Sequence, residues 1–293
     1  MNTSLKNRNI SRLFVAIFLI NIVSFHFVKA QSYVPTKEDL ANFYKTKTLV
    51  VLEDNPLLVY NLNIRTVMKN NWTITPYEFI SFAEFEQKRE DPQYSFLLLT
   101  QVSFEKDKLN AKYDFLQLLL GKKAFRVNQM PELVSVPLCY HGAYEDSYVY
   151  KLGTLVRFIQ KHVMLLKDKP GLISSNVLEY YNKNMKNIQD KTLYVVEDEL
   201  AKEVNSIPRI KKVYPYKVKI ATREEIEKVI ESQDEKAVFL HKVGPEGTRI
   251  HARCYKVIIG VKDADFYYFD YHMINDKHPD GFLESDFKKL AKK

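Results

Sequence analysis

The chain has 293 residues, with 44 Lys and Arg against 36 Asp and Glu and 46% hydrophobic side chains. That length carries one or two globular domains, and that apolar fraction excludes a disordered chain, which lacks the surface to offset its own entropy. Eight Gly and eleven Pro exclude collagen-like or low-complexity organisation, and two Cys exclude a disulfide scaffold or a multi-cysteine metal module.

Residues 1–30 read as a cleaved secretory signal. Lys6, Arg8 and Arg12 precede an apolar run from Leu13 to Val28, and Val28-Lys29-Ala30 place small residues three and one before Gln31. A membrane-spanning helix needs about 20 apolar residues. This run is shorter and contains Asn21, Ser24 and His26; an uncleaved anchor is the other reading. No further long apolar run follows, so the expectation is an exported protein, periplasmic or secreted, with no transmembrane span in the mature chain. Residues 1–30 hold four bases and no acid, so their removal halves the formal charge of +8. No Lys/Arg stripe with interleaved aromatics remains, and nucleic acid is not an expected partner.

Thr36 is placed to cap a short helix over 37–44. Leu49–Leu52 is a continuous apolar run, as in a strand buried on both faces. Asn55-Pro56 offers an N-cap and first-turn proline to a helix with Leu57, Tyr60, Leu62, Ile64, Val67 and Met68 as its apolar face. A strand near 73–80, a helix near 82–90 behind the Ser81-x-x-Glu84 capping box, strands near 94–103, 111–120 and 133–139, and a helix near 152–166 complete a first set. Asp168-Lys169-Pro170-Gly171 break the chain, and a helix near 173–186 leads into a second set. There a strand is expected at 193–196, a shorter helix from Glu199 to Ser206, and a strand at 216–221. A helix at 223–232 behind Thr222-x-x-Glu225, strands at 236–243, 250–260 and 265–274, and a helix at 283–292 follow.

The two sets match each other. Thr48-Leu49-Val50-Val51-Leu52-Glu53-Asp54 returns as Thr192-Leu193-Tyr194-Val195-Val196-Glu197-Asp198, followed in order by Pro76-Tyr77 with Pro215-Tyr216 and the two capping boxes. Phe96–Leu99 then matches Ala237–Leu240, and Leu118–Lys122 matches Val257–Val261. Five ordered matches point to an internal duplication. The expected fold is α/β with some α+β character: two tandem duplicated domains, each a mixed β-sheet with packed helices. The divisions are a signal over 1–30, a first domain over 31–167, a linker with a helix over 168–190 and a second domain over 191–293.

Glu53-Asp54 and Glu197-Asp198 lie where a parallel strand ends, the position at which open α/β sheets bind ligands, and paired carboxylates there suit a divalent cation or a basic group. Acids between strand and helix also serve simply to stabilise the helix N-terminus. A second candidate is Phe266–His272, in which alternation puts Tyr268, Asp270 and His272 on one face, with His278 and Asp280 beyond. Asp and His on one face suit metal binding or acid–base chemistry, but the first set has no matching histidine pair. Cys139-Tyr140-His141 sets a thiol near an imidazole without an identifiable orienting residue, and export permits a Cys139–Cys254 bridge. No Walker loop, dinucleotide turn, nucleophile elbow or His-Glu-x-x-His is present. No cofactor is expected.

The signal junction and the Lys-, Asn- and Tyr-rich composition resemble exported proteins of Bacteroidota-type bacteria. Through element order and the texture of the first strand, residues 48–103 and 192–243 each resemble the α/β domain at the N-terminus of TolB and in CsgG-like envelope proteins. That resemblance has no diagnostic motif and transfers no functional residues; it implies an envelope assembly or interaction role. The expected function is an exported, non-enzymatic binding or envelope-assembly module with an envelope or extracellular protein partner. The alternative is an exported hydrolase, with or without metal assistance, working through the Asp270 and His272 region.

Overall fold

The computed structural model describes residues 34–104, 110–174, 176–246 and 251–292; the expected signal at 1–30 lies outside them. The first half runs α1 (Lys37–Phe43), β1 (Lys47–Val51), α2 (Val59–Asn71), β2 (Tyr77–Ile80), α3 (Phe82–Lys88), β3 (Tyr94–Val102), β4 (Tyr113–Leu120), β5 (Glu132–Tyr140) and α4 (Leu152–Asp168). The second runs α5 (Val177–Asn182), β6 (Thr192–Val195), α6 (Ile207–Lys211), β7 (Val218–Ile220), α7 (Arg223–Glu231), β8 (Ala237–Val243), β9 (Arg253–Gly260), β10 (Phe266–Met273) and α8 (Glu284–Ala291).

Each half builds a five-stranded mixed sheet, ordered β2-β1-β3-β4-β5 and β7-β6-β8-β9-β10. The first strand of each pairs in parallel with its second and third, and the third, fourth and fifth pair antiparallel. The fifth strand of each sheet also slips register near its start. The expected α/β class with two similar sheets is therefore the observed one. Among the described residues no helix is long and apolar enough to cross a membrane.

Much of the local structure follows the sequence. Thr36 caps α1 in a reciprocal box with Asp39, and the Ser81/Glu84 and Thr222/Glu225 boxes open α3 and α7. Helix α2 departs from expectation: it begins at Val59, not after Pro56, and its N-cap residue Leu58 makes no side-chain bond. The Glu145 carboxylate takes over that role, accepting from the Val59 and Tyr60 amides at 3.0 and 2.7 Å. The buried face of α2 is Tyr60, Asn61, Ile64 and Met68, while Leu57 and Leu62 stand exposed. The helix expected over Glu199–Ser206 is instead two 3₁₀ turns, Glu197–Glu199 and Lys202–Val204, ahead of α6. The linker helix is likewise split, α5 being flanked by 3₁₀ turns at Pro170–Ser174 and Lys183–Ile188.

The continuous apolar strands are buried on both faces, as parallel strands covered by helices must be. In the first sheet Val50, Leu97 and Leu118 face one cluster and Leu49, Phe96 and Leu119 face another with Phe85 of α3. In the second, Leu193, Val238 and Ile258 pack under α6 and α8, while Phe239 and Ile259 turn the other way into the same cluster as Val50. That cluster is common to both halves. Helix α4 runs through it, and its Phe158 stacks on Phe266 of β10 with ring centroids 3.4 Å apart. Arg157 on the same helix donates to the Val261 and Lys262 carbonyls at 2.7 and 2.8 Å.

The hydrogen-bond frame corrects the pairing of the two copies. The Lys47 amide donates to the Gln93 carbonyl and the Thr192 amide to the Lys236 carbonyl, so Thr192 corresponds to Lys47 and not to Thr48. A one-residue slip in a strand exchanges its two faces. The sheets accordingly bring non-equivalent faces to the shared cluster: the first its α2 and α4 side, the second its α7 side.

Candidate functional site

The carboxyl ends of β1 and β3 bring together residues far apart in the chain. Glu53, just past β1, is fixed through its backbone by buried Asn61, which accepts from the Glu53 amide and donates to its carbonyl, each at 2.9 Å. Its carboxyl group is pushed up from the usual range, first by desolvation and then by the neighbouring Asp114 and Asp54 charges. Asp54 is exposed. Because β4 runs back along β3, Asp114 lies opposite Gln101, and β5 sets Cys139 on its other side. His141 completes the group, with Nδ1 at 3.0 and 3.1 Å from the two Asp114 carboxylate oxygens and Nε2 at 3.0 Å from the Gln101 amide nitrogen.

Asp114 is thus the orienting residue that the sequence did not reveal for His141. The arrangement does not activate the thiol. Cys139 Sγ lies 3.8 Å from Asp114 Oδ2, and burial together with that carboxylate pushes the thiol up, away from the thiolate a nucleophile needs. Cys254 is also buried, donates to the Gly281 carbonyl, and is pushed up to about 12 chiefly by burial. Both cysteines are free, so the bridge considered between them is not formed.

Glu197 and Asp198 are exposed and border a shallow depression with Thr222, Arg223 and Glu225. The next acid, Glu199, is buried and pairs with Lys151 of the first half at 3.1 Å; neither side chain is more than 7% exposed. Lys242 and Asp280 form a second such pair at 2.7 Å. The signal for both was a lysine inside or beside an otherwise apolar run, which only a buried partner can accommodate.

On β10 the structure joins Tyr268 and Asp270 and separates His272 from them. The Tyr268 hydroxyl donates to Asp286 Oδ1 at 2.7 Å and lies 3.1 Å from Asp270 Oδ2. Asp286 receives Lys256 Nζ at 2.8 Å on both oxygens, and Lys289 pairs with Asp270 at 2.5 Å. Burial works against the Asp270 charge, but the Lys289 ammonium holds its carboxyl below the usual range. His272 Nε2 instead lies 2.9 Å from the Pro279 carbonyl oxygen. Tyr268 and Asp270 therefore tie α8 to the sheet. Among the described residues no three His, Cys, Asp or Glu side chains converge as metal ligands. Compared with protein-family models, with curated proteins and with solved structures, the chain has no match.

Proposed function

We propose that the protein is an exported, non-enzymatic binding module whose protein partner docks at the carboxyl end of the first sheet. The observation that carries this reading is an exposed apolar pair beside acidic side chains. Leu57 and Tyr144 are 85% and 83% exposed. They flank the point where Glu145 locks onto the start of α2, with Leu62 exposed one turn along that helix. Fully burying one such side chain is worth about 1.5–3 kcal/mol, left unrealised while it faces water. Glu53 and exposed Asp54 beside it favour a partner with a basic rim, while Asp146 is paired with Arg223 at 3.6 Å.

A photo-crosslinking residue at Tyr144, in the native envelope, is expected to capture one defined protein. Leu57→Ser with Leu62→Ser should abolish that capture while leaving the unfolding midpoint unchanged. Turnover of an ester, glycoside, peptide or phosphate substrate that is lost in His141→Ala would overturn the non-enzymatic reading. Intact mass of the exported chain should place its N-terminus at Gln31.

A further inference from the structure

We propose that a cavity between the halves, walled by β5, α4, α5 and β10, binds a small neutral ligand built on one ring and carrying one hydrogen-bonding oxygen. The residues are separate from the partner-docking face, so either reading can fail alone. The cavity measures about 210 Å³. An apolar cavity of about 150 Å³ accepts benzene, so the space here takes one ring with a substituent. Leu133, Leu166 and Val177 give it aliphatic walls, and Phe158, Phe266 and Phe269 give it aromatic ones. Phe266 and Phe269 meet at 78°, offering a flat face and an edge to an incoming ring.

One polar group inside sets the ligand's chemistry. His162 lines the cavity, and its Nδ1 lies 2.7 Å from the Tyr181 hydroxyl. Nε2 has no hydrogen-bond partner among the described residues. Burial drives the ring's pKa down to about 4, so it is neutral at pH 7 and offers a hydrogen bond without a charge. At the rim Glu132 accepts from the Gln117 amide at 2.7 Å, and desolvation of its carboxyl pushes its pKa up. A carboxylate ligand would find no Lys or Arg among the described lining residues, whereas a phenol or a cyclic alcohol satisfies both walls and imidazole.

The test uses phenol, toluene and benzoate with the full mature chain. Phenol at millimolar concentration should give saturable shifts and intermolecular NOEs to the Val177 methyls and the Phe158 ring. It should bind about fivefold more tightly than toluene, the worth of one ordinary hydrogen bond, and benzoate should not bind. His162→Phe should erase the preference for phenol, and Val177→Phe should abolish binding of both rings. Absence of those NOEs in the unmodified protein overturns the proposal, whatever the variants do. Equal binding of phenol and toluene removes His162 from it.

Discussion

Two acids do more than their sequence neighbourhoods suggest. Glu145 serves as a cap for a helix that begins 86 residues earlier in the chain. Glu145→Ala should cost about 1–2 kcal/mol in urea unfolding, the range for losing a charged cap with its dipole contribution. Asp286 sits in a fully buried pair with Lys256, their side chains 1% and 2% exposed. Asp286→Ala leaves an ammonium buried without its partner and should cost about 3–5 kcal/mol. Replacing both at once, Asp286→Leu with Lys256→Met, should recover most of that loss, since the attraction and the desolvation penalty disappear together. Failure of the double substitution to recover stability would show that Tyr268 and Leu283, which also bond Asp286, matter more than the lysine.

At the scale of elements, the legible parts were those whose chemistry is local. The Thr36, Ser81 and Thr222 caps lie three residues from the groups they satisfy, and each forms as expected. Ser81→Ala and Thr222→Ala should each lower stability by about 1 kcal/mol, and the effects should add because the sites share no partner. Helix α2 was misplaced because its apparent start signal, Asn55-Pro56, makes a turn instead, and its start is set by distant Glu145. The candidate site was half legible for the same reason. Glu53 announced itself by following a strand, whereas Gln101 and Asp114 reach His141 only through the β3–β4–β5 pairing. The duplication was legible in element order, yet the matching Thr-Leu letters misled by one residue. Letter identity in an apolar run carries no information about which carbonyl each amide meets.

Across the whole molecule, stability should be sensitive to acid well above the carboxylate range. Burial lowers His162 to about 4 and His241 to about 3, the latter with help from the Lys151 charge. An unfolded histidine takes a proton near 6.5. Below that pH the unfolded chain binds protons that the native rings refuse. Stability is therefore unaffected above about 6.5 and falls by about 1.4 kcal/mol per pH unit for each ring as pH drops. The loss levels off for His162 near 4 and for His241 near 3. Urea midpoints between pH 7.5 and 5 should show this slope, and His162→Phe should reduce it. Half the slope would mean that one ring is charged in the native state, and a flat profile that both are.

Phe158 stacks on a ring 108 positions later, and the common cluster receives residues from both sheets. Calorimetry and tyrosine fluorescence should accordingly report one coincident transition. There is also a timing consequence. During synthesis the amino-terminal sheet and α4 emerge first, with an oily flank that stays uncovered until β10 has been translated. A ribosome stalled before codon 266 would leave that flank bare, and such nascent chains should be clients of holding chaperones in a way the finished protein is not.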